Sequence, residues 1–210
     1  MIDHVVLATD NLERTVTSLR TRLGVVPVPG GSHVGMGTRN ELLGLGGGAY
    51  LEVVGPDHGQ PTPTAPRPFG IDDIAGEAIV AWCARPARSL ETVVHDLSVA
   101  GHQAGPISAM SRRRPDGLLL SWRLTFPQPH APLGSVMPFL IDWGSSDHPA
   151  TTLPADVGLQ RLILGTPHPS ELGAMLAAVG ADERIVVVPD DLATLTARFT
   201  TPLGRVTLPS

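Results

Sequence analysis

The chain has 210 residues, 42% hydrophobic and 17% charged, with a formal net charge of −5, which is ample apolar material for a core. An acidic surface disfavours nucleic acid or an anionic membrane as partner, since both select basic proteins. One cysteine, Cys83, excludes an internal disulfide framework; with no opening signal segment and no apolar run of membrane-spanning length, the expectation is a soluble, cytoplasmic protein.

The opening segment IDHVVLAT is β-branched and predicts a strand over Ile2–Thr9. Asp10 and Asn11 are natural caps for a helix over Leu12–Leu23, stopped by Gly24. A short strand is expected over 25–28, then the glycine-rich loop HVGMGTRN from His33, a strand, the turn Gly46-Gly47-Gly48, and a strand over 49–54. The first unit thus reads strand, helix, strand, strand, strand.

After a proline-rich connector over 56–68 the same order returns. A strand is expected over 78–84, a helix over 89–100 and an irregular strand over 103–110. The turn Arg114-Pro115-Asp116-Gly117 leads to a strand over 118–126, and a last strand runs over 136–143. Superposing the helices places His4 opposite Trp82; superposing the ends by Asp57-His58 on Asp147-His148 places Glu52 opposite Asp142. A third, weaker copy follows Pro154, with Arg161 or Leu162 in the slot of His4, neither a ligand for a divalent metal. These units give an α+β fold of repeated βαβββ units forming curved mixed sheets. Residues 1–149 make a two-unit domain (1–58 and 75–149), and 157–210 make a third, partial unit.

Glu52 stands among Tyr50, Leu51, Val53 and Val54, so both faces of its strand are apolar. A buried carboxylate is costly unless paired, hydrogen-bonded or bound to a metal. Alternation along the opening strand puts Ile2, His4, Val6 and Ala8 on one face, so His4 is either a hydrogen-bonded core residue or a ligand. Arg39 or Arg123 is a structural alternative partner for Glu52. His33, Thr38 and Asn40 precede Glu52 and either contact a ligand or serve a bulge. Arg112, Arg113 and Arg114 flank a hairpin and either clamp a carboxylate or face solvent. Trp82, Trp122 and Trp143 line an apolar pocket or are ordinary core.

The segments IDHVVLATDNL, HVGMGTRN, GAYLEVVGPD, SRRRPDG and MPFLIDWGSSDHP together resemble the vicinal oxygen chelate superfamily, in its glyoxalase-like branch. The resemblance covers most of residues 1–149. It implies two units whose curved sheets surround a cleft, where a metal takes ligands from first and fourth strands and holds a substrate through neighbouring oxygens. Carried over, it makes His4, Glu52 and Asp142 metal ligands, with Trp82 at the remaining position, where no ligand is possible. The substrate-binding candidates, read from the residues themselves, are His33, Thr38, Asn40, Trp82, Arg114, Trp122 and Trp143.

Two functions follow. One is an enzyme of glyoxalase, isomerase, lyase or dioxygenase type on an oxygenated small molecule, with a divalent metal (Zn, Ni, Mn, Fe or Mg) as Lewis acid, or with Glu52 as a free general base whose pKa is raised by burial. The other is a metal-free protein that sequesters a small molecule. Neither uses a nucleotide cofactor, as no phosphate loop or dinucleotide fingerprint is present. The unpartnered face of the third unit's sheet is expected to pack in a homodimer or against the back of the first domain.

Overall fold

The computed structural model describes residues 1–126, 133–180 and 182–210. The first unit is β1 (Ile2–Thr9), α1 (Leu12–Leu23), β2 (Val28–His33), β3 (Thr38–Gly44) and β4 (Tyr50–Pro56). The second is β5 (Glu77–Ala84), α2 (Leu90–Val99), β6 (Ile107–Arg113), β7 (Leu119–Thr125) and β8 (Phe139–Asp142). The helix signals act as their residue types suggest. The Asn11 side chain accepts the Arg14 N–H, and Gly24 ends α1 in the left-handed conformation at φ 74°.

The two units close into one eight-stranded barrel of order β1-β4-β3-β2-β6-β7-β8-β5. Two antiparallel seams join them: β1 on β5, and β2 on β6. Strand β2 begins where the sequence suggests it should end, because glycine and proline at 29–31 hide its extended character. Gly31 is required there. A Cβ at this residue, with φ 133°, would lie 1.9 Å from the Arg113 carbonyl oxygen across the β2–β6 seam.

A bulge shapes the opening strand. Ile2 pairs with Ala84 and His4 with Cys83, so Asp3 is an extra residue. Simple alternation therefore fails. Ile2, Val5 and Leu7 join the core outside the barrel, whereas Val6 and Ala8 join the core inside it. Asp3 and His4 are both buried between these two runs.

The third unit is β9 (Gly158–Thr166), α3 (Pro169–Val179), β10 (Ile185–Pro189), β11 (Thr194–Thr201) and β12 (Gly204–Pro209), with sheet order β10-β9-β11-β12. Leu162, Leu164, Leu195, Ala197 and Phe199 share one core with Leu19 and Leu23 of α1 and with Val5, Leu7 and Trp82 of the barrel wall. This face packs on the back of the barrel within the same chain, and it is not the homodimer contact that a free face suggested. Asp182 ties the two bodies together, since its Oδ2 accepts the Ile2 N–H at 2.8 Å. No described helix is long and apolar enough to cross a membrane.

Candidate functional site

Inside the barrel lies a mostly apolar hollow of about 40 Å³, walled by Phe126, Phe139, Ile141, Trp122 and Trp143 and capped by Pro68 and Phe69 from the connector. Phe69 is the only non-glycine residue among those described with positive φ, at 64°. Such a backbone costs energy and persists where its surroundings hold it.

Polar groups gather on one side of the hollow. On β4, Leu51 and Val53 point to the outer core, while Tyr50, Glu52 and Val54 face inward. The nitrogen of the Asn40 amide donates to Glu52 Oε1 at 2.6 Å and lies 3.2 Å from His33 Nε2. His33 Nε2 is 3.4 Å from Glu52 Oε1, and His4 Nε2 is 3.6 Å from Oε2. His33 Nδ1 is hydrogen-bonded to Thr38 Oγ1 at 2.9 Å.

Neither arginine considered for Glu52 reaches it. Arg39 pairs with Glu13, and Arg123 with Asp142 and Glu91. Burial pushes the Glu52 carboxyl up, but the hydrogen bond with His33, the His4 and His33 rings and the Asn40 amide outweigh it and hold the pKa at about 2. The expectation of a base raised by burial alone is therefore corrected: Glu52 is an ionised carboxylate.

His4 is held from behind. Asp3 Oδ1 accepts its Nδ1–H at 2.7 Å, and Tyr50 stacks on the ring at 4.6 Å. Asp3 Oδ2 also accepts the Trp143 indole N–H at 3.1 Å and His148 Nε2–H at 3.0 Å. His148 Nδ1 accepts the Ala150 N–H, which fixes that ring's proton on Nε2. Burial works to raise the Asp3 carboxyl, yet the bonds from His148 and His4 hold it well below the usual range. An ionised carboxylate only accepts, so the His4 Nδ1 carries a proton, and Nε2 is the ring nitrogen turned toward Glu52.

The second unit's contribution differs from that read in the sequence. Cys83 pairs with His4 and with Phe139, and Tyr50 pairs with His4, so the register matches His4 with Cys83 and Glu52 with Ile141. The superposition on Trp82 and Asp142 is out by one residue on both strands. Trp82 consequently faces the outer core, where its indole N–H donates to the Val136 carbonyl at 2.8 Å. Asp142 points away from the hollow, accepting from Arg123 at 2.6 Å and from the Gly144 N–H at 2.9 Å. Arg114 is also outside, paired with Asp116 at 3.0 Å. Trp122 and Trp143 do line the hollow, 5.2 Å apart.

Arg112 is the arginine that enters. It is 4% exposed, and its Nη1 donates to the Asn40 Oδ1 at 3.1 Å. Gly30 makes room for this pair, since a Cβ there would lie 2.2 Å from Asn40 Oδ1 and 2.7 Å from Arg112 Nη1. The residues that sequence reasoning missed as site members are thus Asp3, Tyr50, Cys83 and His148, and of the three arginines considered as a clamp it is Arg112, not Arg114, that enters. Met110 and Arg112 alternate on β6, a signal that was available; the bulge that turns Asp3 inward left none.

As for a metal, the described His, Cys, Asp and Glu set whose donor atoms all lie within 4.8 Å of one another is Asp3, His4 and Cys83. Two of the three are committed to each other, and burial pushes the Cys83 thiol well up, which keeps it protonated. The open donors are His4 Nε2 and Glu52. A separation of 3.6 Å is one that a single ion spans with two bonds of about 2.1 Å.

A family profile described as a glyoxalase-like domain matches residues 2–180. No curated protein matches in sequence. Among solved structures, a hypothetical protein from Staphylococcus aureus is similar over 99% of this chain and 84% of its own, with a TM-score of 0.64 and 14% identity. The Mn(II)-bound glyoxalase from Novosphingobium aromaticivorans is similar over 100% and 81%, with a TM-score of 0.50 and 11% identity. A Streptomyces coelicolor methylmalonyl-CoA epimerase is similar over 71% and 98%, with a TM-score of 0.48 and 20% identity. At these identities the likeness to the first two is one of fold alone, and the profile match over most of the chain shows that the chain belongs to the glyoxalase-like domain family.

Proposed function

We propose that the barrel interior is the active site of an enzyme of isomerase, lyase or dioxygenase type acting on a small oxygenated molecule, with His4 and Glu52 holding a divalent cation (Zn, Ni, Mn, Fe or Mg). The observation that carries this reading is the approach of His4 Nε2 to Glu52 Oε2, 3.6 Å, in a hollow where Glu52 has no arginine partner. A buried anionic carboxylate beside an imidazole nitrogen is a donor pair that suits a cation. Asp3 supplies the backing carboxylate that fixes such a histidine's tautomer and orientation. When bound, the ion supplies Lewis-acid polarisation of a substrate oxygen. Asn40 holds Glu52 in place, and His33, beside both, is the group placed to move a proton. The aromatic walls exclude water.

Metal analysis of protein purified without chelator, with melting temperatures in added Zn, Ni, Mn, Fe or Mg, tests this. Native protein is expected to bind and be stabilised, and His4→Ala and Glu52→Gln to lose the effect. No metal in native protein, and no shift with any of the five ions, removes the metalloenzyme reading.

Cys83 and Ile141 at the second unit's two matching positions support the alternative, a metal-free sequestering protein. In that case ligand binding survives both substitutions and no product forms.

A further inference from the structure

Two donors in the cavity wall have no acceptor. Arg112 Nε and Trp122 Nε1 are buried and, among the described residues, make no hydrogen bond. Both residues line the hollow, and both are more than nine-tenths buried. Arg112 is also a buried cation outside any ion pair with the described carboxylates; its one polar contact is the neutral Asn40 amide. Burial lowers its pKa, but a guanidinium keeps its proton.

An unpaired buried charge and orphan N–H groups are each unfavourable, and natural interiors rarely keep them without a reason. Glu52 favours the charged Arg112 through its field without touching it; the Asn40 amide stands between them, and the Glu52 carboxylate is already engaged by that amide and two imidazoles. What the wall lacks is an acceptor that carries negative charge.

We infer that the hollow takes a small organic carboxylate, whose anionic group accepts from Arg112 and the Trp122 indole N–H while its apolar body lies against Phe126, Phe139 and Ile141. This rests on the reading that the hollow is a small-molecule site, and it assigns that site's charge selectivity. Asn40 then joins the two ends: its oxygen accepts from Arg112 and its nitrogen donates to Glu52, so the carboxylate's neighbouring carbon is presented to the His4–Glu52 side.

The probes are acetate, pyruvate and benzoate, each against its neutral amide at constant ionic strength, read by melting temperature and titration calorimetry. Carboxylates are expected to bind native protein and the amides not to. Arg112→Met is expected to weaken carboxylate binding by more than about tenfold, the effect of losing a charged hydrogen bond. Trp122→Phe removes the N–H along with part of the ring and should weaken binding several-fold.

Equal response to acids and amides, or carboxylate binding unchanged in Arg112→Met, overturns the inference. If that variant does not fold, the comparison of acids with amides on native protein still decides. Metal content is measured in parallel. Metal without carboxylate binding sinks this inference alone, and carboxylate binding without metal sinks the metalloenzyme reading alone.

Discussion

Asp3 and His4 are sequence neighbours whose side chains are hydrogen-bonded at 2.7 Å beside the barrel interior, an arrangement that alternation along an unbulged strand forbids. The extra residue in β1 is what permits it. The Asp3 carboxylate also collects Trp143 and His148, so one side chain fixes the orientation of three rings.

Asp3→Asn keeps the shape but loses the charge and the acceptor pattern. It is expected to destabilise the fold by about 1–3 kcal/mol, measured by urea unfolding. It should also weaken metal affinity at His4 and Glu52 by about 10–100-fold, as loss of a backing carboxylate does. Unchanged metal affinity would show that Asp3 supports the fold alone.

Trp82→Ala should cost about 3–5 kcal/mol, the usual loss for a large buried aromatic, because the residue is 1% exposed in the outer core. Ligand binding in the hollow should be unaffected once folding is allowed for. Trp143→Phe should do the reverse, with a smaller loss of stability and a visible change in the site, since its N–H serves Asp3.

Asp142→Asn or Arg123→Ala breaks a half-exposed ion pair at the barrel rim. Each should change stability by less than about 1 kcal/mol and leave metal content unaltered. A loss of metal in Asp142→Asn would return that residue to the ligand set.

Acid stability offers a further check. Burial works to raise the Asp182 pKa, but the hydrogen bonds from the Arg184 side chain and from the backbone of Ile2 and Arg184 outweigh it and bring the pKa down to about 2. A carboxyl that is lower when folded stabilises above its unfolded value, near 3.8, and loses that contribution as pH falls toward 2. Asp182→Asn should therefore be less stable than native protein at pH 6, and the difference in urea midpoint should shrink steadily between pH 4 and pH 2. A difference independent of pH would mean that the charge is not what holds this contact.

The sequence made the repeated unit legible, because caps such as Asn11 and stops such as Gly24 act locally. It also marked Glu52, whose apolar neighbours on both sides leave a carboxylate nowhere to go but inward. What it hid are effects of register. A one-residue slip exchanges the faces of a strand, which is why Trp82 and Asp142 stood where Cys83 and Ile141 belong. Arg112 and Arg114 differ in the same way: they lie on either side of the β6 end, and only the pairing of β6 with β2 and β7 shows which one is enclosed.

The clasp between the Ile2 amide and Asp182 spans almost the entire polypeptide. Strand β1 is made well before β5 and Asp182, and it takes its β5 pairing and this hydrogen bond only once those later residues exist. Contacts so distant along the chain slow folding, and a chain cut before Asp182 would keep the β4 and β5 pairings of its His4-bearing strand but lose that hydrogen bond and part of the sheet covering its back.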